Sequence, residues 1–392
     1  MILEKDEERG LNGEYGEGVQ AAYRILVAVG KAMGAQRLIP ITSAHISGVN
    51  YYNIGDAGLE FLRDMSERVK FKVKTTINPC GAPLYGEFGI DFPNEVLKAQ
   101  KSIVEAFIKM GAQGSCNCVP YEGENAPGRG EHVSWAESNA VVYGNSVLGI
   151  MTNRESGLSA LAAAVVGKTP YYGLHIEENR KSKDFVNVTV KLHGGAQYAA
   201  LGYFIGRRFR DVVGITGIDD ATHAELKSLA ASVGTYGPMG MFNIEKRGNG
   251  IEFGKKELEE SMAKISDAEE GDVIMIGCPF LSEEEIFQFA TLLKGRVMLK
   301  RTYLFTYRSL YDKIREKGVY EDLKKAGVEV LTDVCPSLSR IPELLGAKSV
   351  ITDSGKASFY MNASSRVGIK MMNREDILSC YSKPINEKIL PE

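Results

Sequence analysis

The sequence has no run of basic residues, and its formal charge is −3 at pH 7. A surface that binds nucleic acid is usually basic, so that class of partner is set aside. No apolar stretch is long enough to span a bilayer, and no membrane partner is expected. Met1 to Gly18 is charged and glycine-rich, which is not the composition of a secretory signal. The expectation is a soluble, cytoplasmic protein. In such a compartment disulfides are uncommon, and cysteines more often serve metals or catalysis. Tryptophan occurs once, at Trp135. No two cysteines have the spacing of a structural zinc knuckle, since Cys116 and Cys118 are separated by a single residue.

What is present is glycine, 42 residues in a chain of 392, enough length for two or three domains. Such abundance fits tight turns and loops whose backbone approaches a ligand. Gly114 to Asn139 is the most unusual stretch. It gathers Cys116, Cys118, Arg129, His132, Trp135 and four glutamates among glycines and prolines. This is poor core material and suits a site carried on loops, although a Pro/Gly-rich surface turn has the same composition.

Around it the pattern is α/β. Apolar spacing predicts helices over Val19–Met33, from Gly55 to about Arg68, from a cap at Asn94 to Met110, and over Leu158–Val166. Thr222 with Glu225, and Ser282 with Glu285, read as capping boxes. A helix is expected over 310–325 and another within 255–270. Strands are expected at 37–42, running on into Ser43–Gly48, and at 72–77, 186–192, 272–277, 297–305, 327–334 and 349–352. Strands alternating with helices imply parallel sheets. The expected units are 1–184, 185–268 and 269–392.

In parallel sheets ligands bind beyond the carboxyl ends of the strands. Cys278, Cys335 and the run Ser354-Gly355-Lys356 each follow such an end. Two of these cysteines plus one from the 114–139 stretch make a three-thiolate site. Three thiolates suit an iron–sulfur cluster with one iron left unligated by protein. That iron is a Lewis acid suited to dehydrating a 3-hydroxy acid. A structural metal in a non-catalytic binding protein is the competing reading.

Seven motifs carry a resemblance. They are Ser43–Val49, Tyr52–Gly58, Cys118–Tyr121, Trp135–Ala140, Gly277–Pro279, Asp333–Pro336 and Thr352–Ala357. In this order they resemble the catalytic (large) subunit of the aconitase X family. The resemblance implies an aconitase-like α/β fold with its site at the carboxyl ends of strands between subdomains. It implies a [4Fe-4S] cluster on Cys118, Cys278 and Cys335, with Cys80 and Cys116 nearby but not ligating. Cys380 reads as structural. The lack of a fused small domain resembles the archaeal two-subunit form, whose partner is a separate small swivelling subunit. The implied reaction there is dehydration of (R)-5-phosphomevalonate to trans-anhydromevalonate 5-phosphate, in an isoprenoid (mevalonate) pathway. Other members dehydrate cis-3-hydroxy-L-proline. Backbone around Gly48, Val49 and Asn50, with Asn78 and Pro79 opposite, is expected to cradle a small anionic hydroxy acid. Lys356 supplies a point charge. Glu137 and Ser138 are candidates for handling the hydroxyl or the proton. Ser354 is the candidate base, although a helix cap is an equal reading of that serine. Arg129 and Arg154 are candidate carboxylate clamps, with a surface or structural ion-pair role an equal reading of either, and His45 is either a ligand or a satisfied structural histidine.

Overall fold

The computed structural model describes residues 1–85, 88–123 and 125–385. Three parallel sheets organise them. The first has three strands, in the order Lys74–Ile77, Ser43–Ile46, Val133–Trp135. The second has four, Phe242–Ile244, Val213–Thr216, Asp184–Val188, Ile251–Phe253. The third has five, Val328–Thr332, Thr302–Thr306, Val273–Ile276, Ser349–Thr352, Gly368–Met371. Parallel strands need crossovers, and helices cover both sheet faces. The central strand of the last sheet, Val-Ile-Met-Ile, is accordingly buried at every position.

Small residues let helices approach closely. Helix Gly194–Arg208 packs on His223–Tyr236, where a Cβ on Gly202 would lie 2.5 Å from that of Ser232. Helix Gly157–Val166 is apolar on all sides and buried from Ser159 onward, as such a helix must be. Both capping boxes form: Thr222 and Glu225 exchange bonds, and so do Ser282 and Glu285. Each cap is worth about 1 kcal/mol.

Several elements differ from their sequence signal. The 37–42 strand does not continue into Ser43. Leu38–Pro40 pairs antiparallel with Lys168–Pro170, while Ser43–Ile46 is the centre of the first parallel sheet. Proline lacks the N–H to continue a ladder. Residues 297–305 form two strands: Arg296–Met298 pairs with Ser382–Pro384, and Thr302–Thr306 enters the five-stranded sheet. The expected 310–325 helix is two, Arg308–Glu316 and Val319–Lys325, broken where Gly318 takes φ of 74°. The 186–192 strand runs instead from Asp184 to Val188. The helix expected from Gly55 begins at Tyr51, with Asn50 capping it and a kink at Gly55. Asn94 does not cap; it is the first helical residue after Pro93. Among the described residues no helix is long and apolar enough to cross a membrane.

Candidate active site

The carboxyl ends of the first and last sheets face one cavity of about 350 Å³. Ser47 to Asn50 follow the strand Ser43–Ile46. Asn78 and Pro79 follow Lys74–Ile77, and Ala136 to Ser138 follow Val133–Trp135. From the last sheet, Cys278 follows Val273–Ile276 and Cys335 follows Val328–Thr332. Lys356 comes from the first turn of helix Gly355–Ser365, and Cys118 from the loop before Pro120. Gly48, Val49, Asn50, Asn78, Pro79, Cys118, Glu137, Ser138, Cys278, Cys335 and Lys356 all line this one space. Gly277 is required before its cysteine: it holds φ of 119°, and a Cβ there would lie 2.5 Å from the Phe305 carbonyl oxygen.

The polar floor is a connected chain. Lys356 Nζ donates to Glu137 Oε1 and, at 2.8 Å, to Asn139 Oδ1. Asn139 Nδ2 donates to the Cys118 carbonyl at 2.8 Å. Asn78 Nδ2 donates to the other Glu137 oxygen. Burial pushes the Glu137 carboxyl up, but the Lys356 ammonium and the Asn78 amide outweigh it and hold the group below its ordinary value. Burial likewise opposes the charge on Lys356, yet Glu137 and the nearby thiols raise it overall. Both partners are therefore charged at neutral pH. Ser138 Oγ lies 3.5 Å from Glu137 Oε1.

The three cavity thiols fit an iron–sulfur cluster. Phe280 N–H donates to Cys118 Sγ at 3.3 Å, and Ser337 Oγ lies 2.9 Å from Cys278 Sγ. Hydrogen bonds to sulfur and a nearby cation suit thiolate ligands. Burial raises all three thiols, Cys335 to about 12. Such groups ionise when a bound metal centre supplies positive charge. Among the described residues no three His, Cys, Asp or Glu side chains are grouped so as to hold a single metal ion. The three thiols share one cavity lining.

The other candidates are engaged differently. Ser354 does not line the cavity: its hydroxyl donates to the Cys278 carbonyl and caps the helix by accepting from Ala357 N–H at 3.0 Å. Arg154 lines the cavity, but its guanidinium donates to the carbonyls of Gly237 and Gly234 at 2.6 and 2.9 Å. Arg129 lines a separate groove with Arg180. His45 is fully buried behind Asn78 and does not touch the cavity. Cys80 and Cys116 are buried with their sulfurs 3.4 Å apart, outside the cavity lining. Cys380, expected to be structural, is exposed. Asn139, Ser337 and Tyr360 were not singled out from sequence. Asn139 and Ser337 sit two residues past Glu137 and Cys335, which is the one signal that points to them.

Family models for the aconitase X first, second and third domains match residues 1–178, 183–273 and 271–382. The chain belongs to the aconitase X family. This aconitase X chain is similar to several archaeal proteins named phosphomevalonate dehydratase large subunit, at 36 to 40% identity. The one from Methanocaldococcus jannaschii is 40% identical over 96% of this chain and 99% of its own. A cis-3-hydroxy-L-proline dehydratase of Hypocrea jecorina is 32% identical over 89% of this chain and 63% of its own. The solved structure of Thermococcus kodakaraensis aconitase X in its holo-form superposes with a TM-score of 0.90, at 36% identity, covering 97% of this chain and 100% of that one.

Proposed function

We propose that this aconitase X chain is the large subunit of a phosphomevalonate dehydratase, a hydro-lyase that removes water from (R)-5-phosphomevalonate to give trans-anhydromevalonate 5-phosphate in a mevalonate pathway. The observation that carries the reading is the single cavity in which three thiols, the Glu137–Lys356 pair and the backbone of Gly48 to Asn50 meet. The choice of substrate is supported by 40% identity to a large subunit of that name, against 32% to a hydroxyproline dehydratase. The name "large subunit" that these relatives carry also supports a separate small-subunit partner.

Cys118, Cys278 and Cys335 would hold a [4Fe-4S] cluster, which would supply a Lewis acid for the leaving hydroxyl. The chain's own groups bind and orient. Turns after two adjacent parallel strands offer N–H groups at Gly48 to Asn50, with Asn78 and Pro79 opposite, to an anionic end of the substrate. Lys356 contributes a positive charge that Glu137 and Asn139 hold in place. Glu137, ionised and beside Ser138, is the group available to take the proton that is lost with the hydroxyl. Burial of these groups strengthens each interaction by lowering the local dielectric.

The test is to purify the chain without oxygen together with its small subunit and to follow 5-phosphomevalonate by phosphorus NMR. Iron and sulfide are assayed in parallel. Product, with about four irons per chain, is the expected result. Turnover of cis-3-hydroxy-L-proline with none of phosphomevalonate overturns the substrate assignment. Zinc, or no metal, without turnover after reconstitution overturns the hydro-lyase reading.

A further inference from the structure

His45 is fully buried and lies one layer behind the cavity, on the central strand of the first sheet. Its bonds define a single proton arrangement. A carboxylate only accepts, so the Asn78 amide must turn its NH2 group to Glu137. The Asn78 Oδ1 then faces His45 Nε2 at 2.7 Å and needs a donor there. His45 Nε2 therefore carries the hydrogen, and Nδ1 is bare. Thr76 Oγ1 stands 2.9 Å from Nδ1 and itself accepts from Asn125 Nδ2 at 3.0 Å. Its one proton is free for Nδ1, the alternative acceptor, Ala44 O, being farther off at 3.5 Å. Between Asn125 and Glu137, Thr76, His45 and Asn78 then each accept one hydrogen bond and donate one. Burial keeps the imidazole neutral by pushing its pKa down to about 4, more than the Asn78 bond raises it.

We propose that His45 is a positioning residue: held as its Nε2–H tautomer by Thr76, it locks the Asn78 amide with the NH2 group toward Glu137. Were the amide free to turn over, its oxygen would face the carboxylate and repel it. The lock orients Glu137 toward the cavity together with Lys356, which binds the other carboxylate oxygen. The inference deepens the dehydratase reading and rests on it for the role of Glu137.

The tautomer is read directly. In the complete enzyme labelled with ¹⁵N-histidine, the signal missing from His45→Gln identifies His45 among the five histidines. A neutral ring with hydrogen on Nε2 is expected; hydrogen on Nδ1, or on both nitrogens, at neutral pH overturns the proposal. Kinetics supply the second test. Glutamine places an amide N–H near the position of Nε2, so His45→Gln should lose less than about tenfold in kcat, the worth of one hydrogen bond. His45→Leu, with no donor, should lose about a hundredfold in kcat, the scale of a misplaced reacting group, with KM changed much less. Equal losses in the two variants, or full activity in His45→Leu, overturn the proposal. The spectrum needs neither substrate nor turnover. It decides this inference even where the phosphomevalonate assay overturns the functional reading.

Discussion

Lys356 and Glu137 form a buried ion pair across 219 positions of sequence, each at the start of a helix and each from a different sheet. The pair ties the carboxyl ends of the first and last sheets together at the cavity. Removing one partner leaves an uncompensated buried charge, which costs about 3–5 kcal/mol. Lys356→Met should therefore lower the thermal midpoint and abolish turnover. Lys356→Met with Glu137→Gln should recover most of the stability and none of the activity. Recovered activity in the double variant would show that the pair is a structural tie alone.

The cysteines divide into two sets. Cys118→Ser, Cys278→Ser and Cys335→Ser should each lose the cluster's visible absorption and turnover, because each removes a cavity thiol. Cys80→Ser and Cys116→Ser should retain both, since those side chains lie outside the cavity lining. Cluster assembly in all three of the first set would sink the ligand assignment.

Ser354→Ala separates a cap from a base. Its hydroxyl accepts from Ala357 N–H and donates to the Cys278 carbonyl, so the expected effect is a loss of about 1–2 kcal/mol in stability. Turnover should fall by less than tenfold, about one hydrogen bond's worth. A collapse of turnover with unchanged stability would make the serine the base after all.

Glu285 carries a pH prediction. It is buried with Lys227 and lies beside Arg374. Burial alone would raise its carboxyl, but the two cations bring it down from 4.5 to about 2. A depressed carboxylate stabilises the fold above its unfolded value and loses that contribution as pH falls through the folded one. The wild type should thus exceed Glu285→Gln in stability at neutral pH. The gap should close between about pH 4.5 and 2, as followed by circular dichroism melting. A gap that is constant with pH would refute the ion pair's role.

Much of the site was legible because its motifs are local. Cys278-Pro279 and Cys335-Pro336 stand directly after or close behind apolar strand runs, and Glu137-Ser138 follows the only tryptophan. The capping boxes at Thr222 and Ser282 are four-residue patterns that require no distant partner. Some of the readings that failed depended on partners far away in sequence. The 297–305 strand divides because its first part finds Ser382–Pro384 and its second part finds Val273–Ile276. No periodicity within the segment records that choice.

Sequence by itself determined the alternation of strands and helices, the family, and the residues placed at strand ends, because side-chain period and turn chemistry act over a few positions. Only tertiary structure decided that Lys356 would meet Glu137, that His45 would orient Asn78, and that the Ser354 hydroxyl would donate to the Cys278 carbonyl. Each of those depends on a specific donor finding a specific acceptor inside a dry interior. That match is made by the packing of two sheets against one cavity.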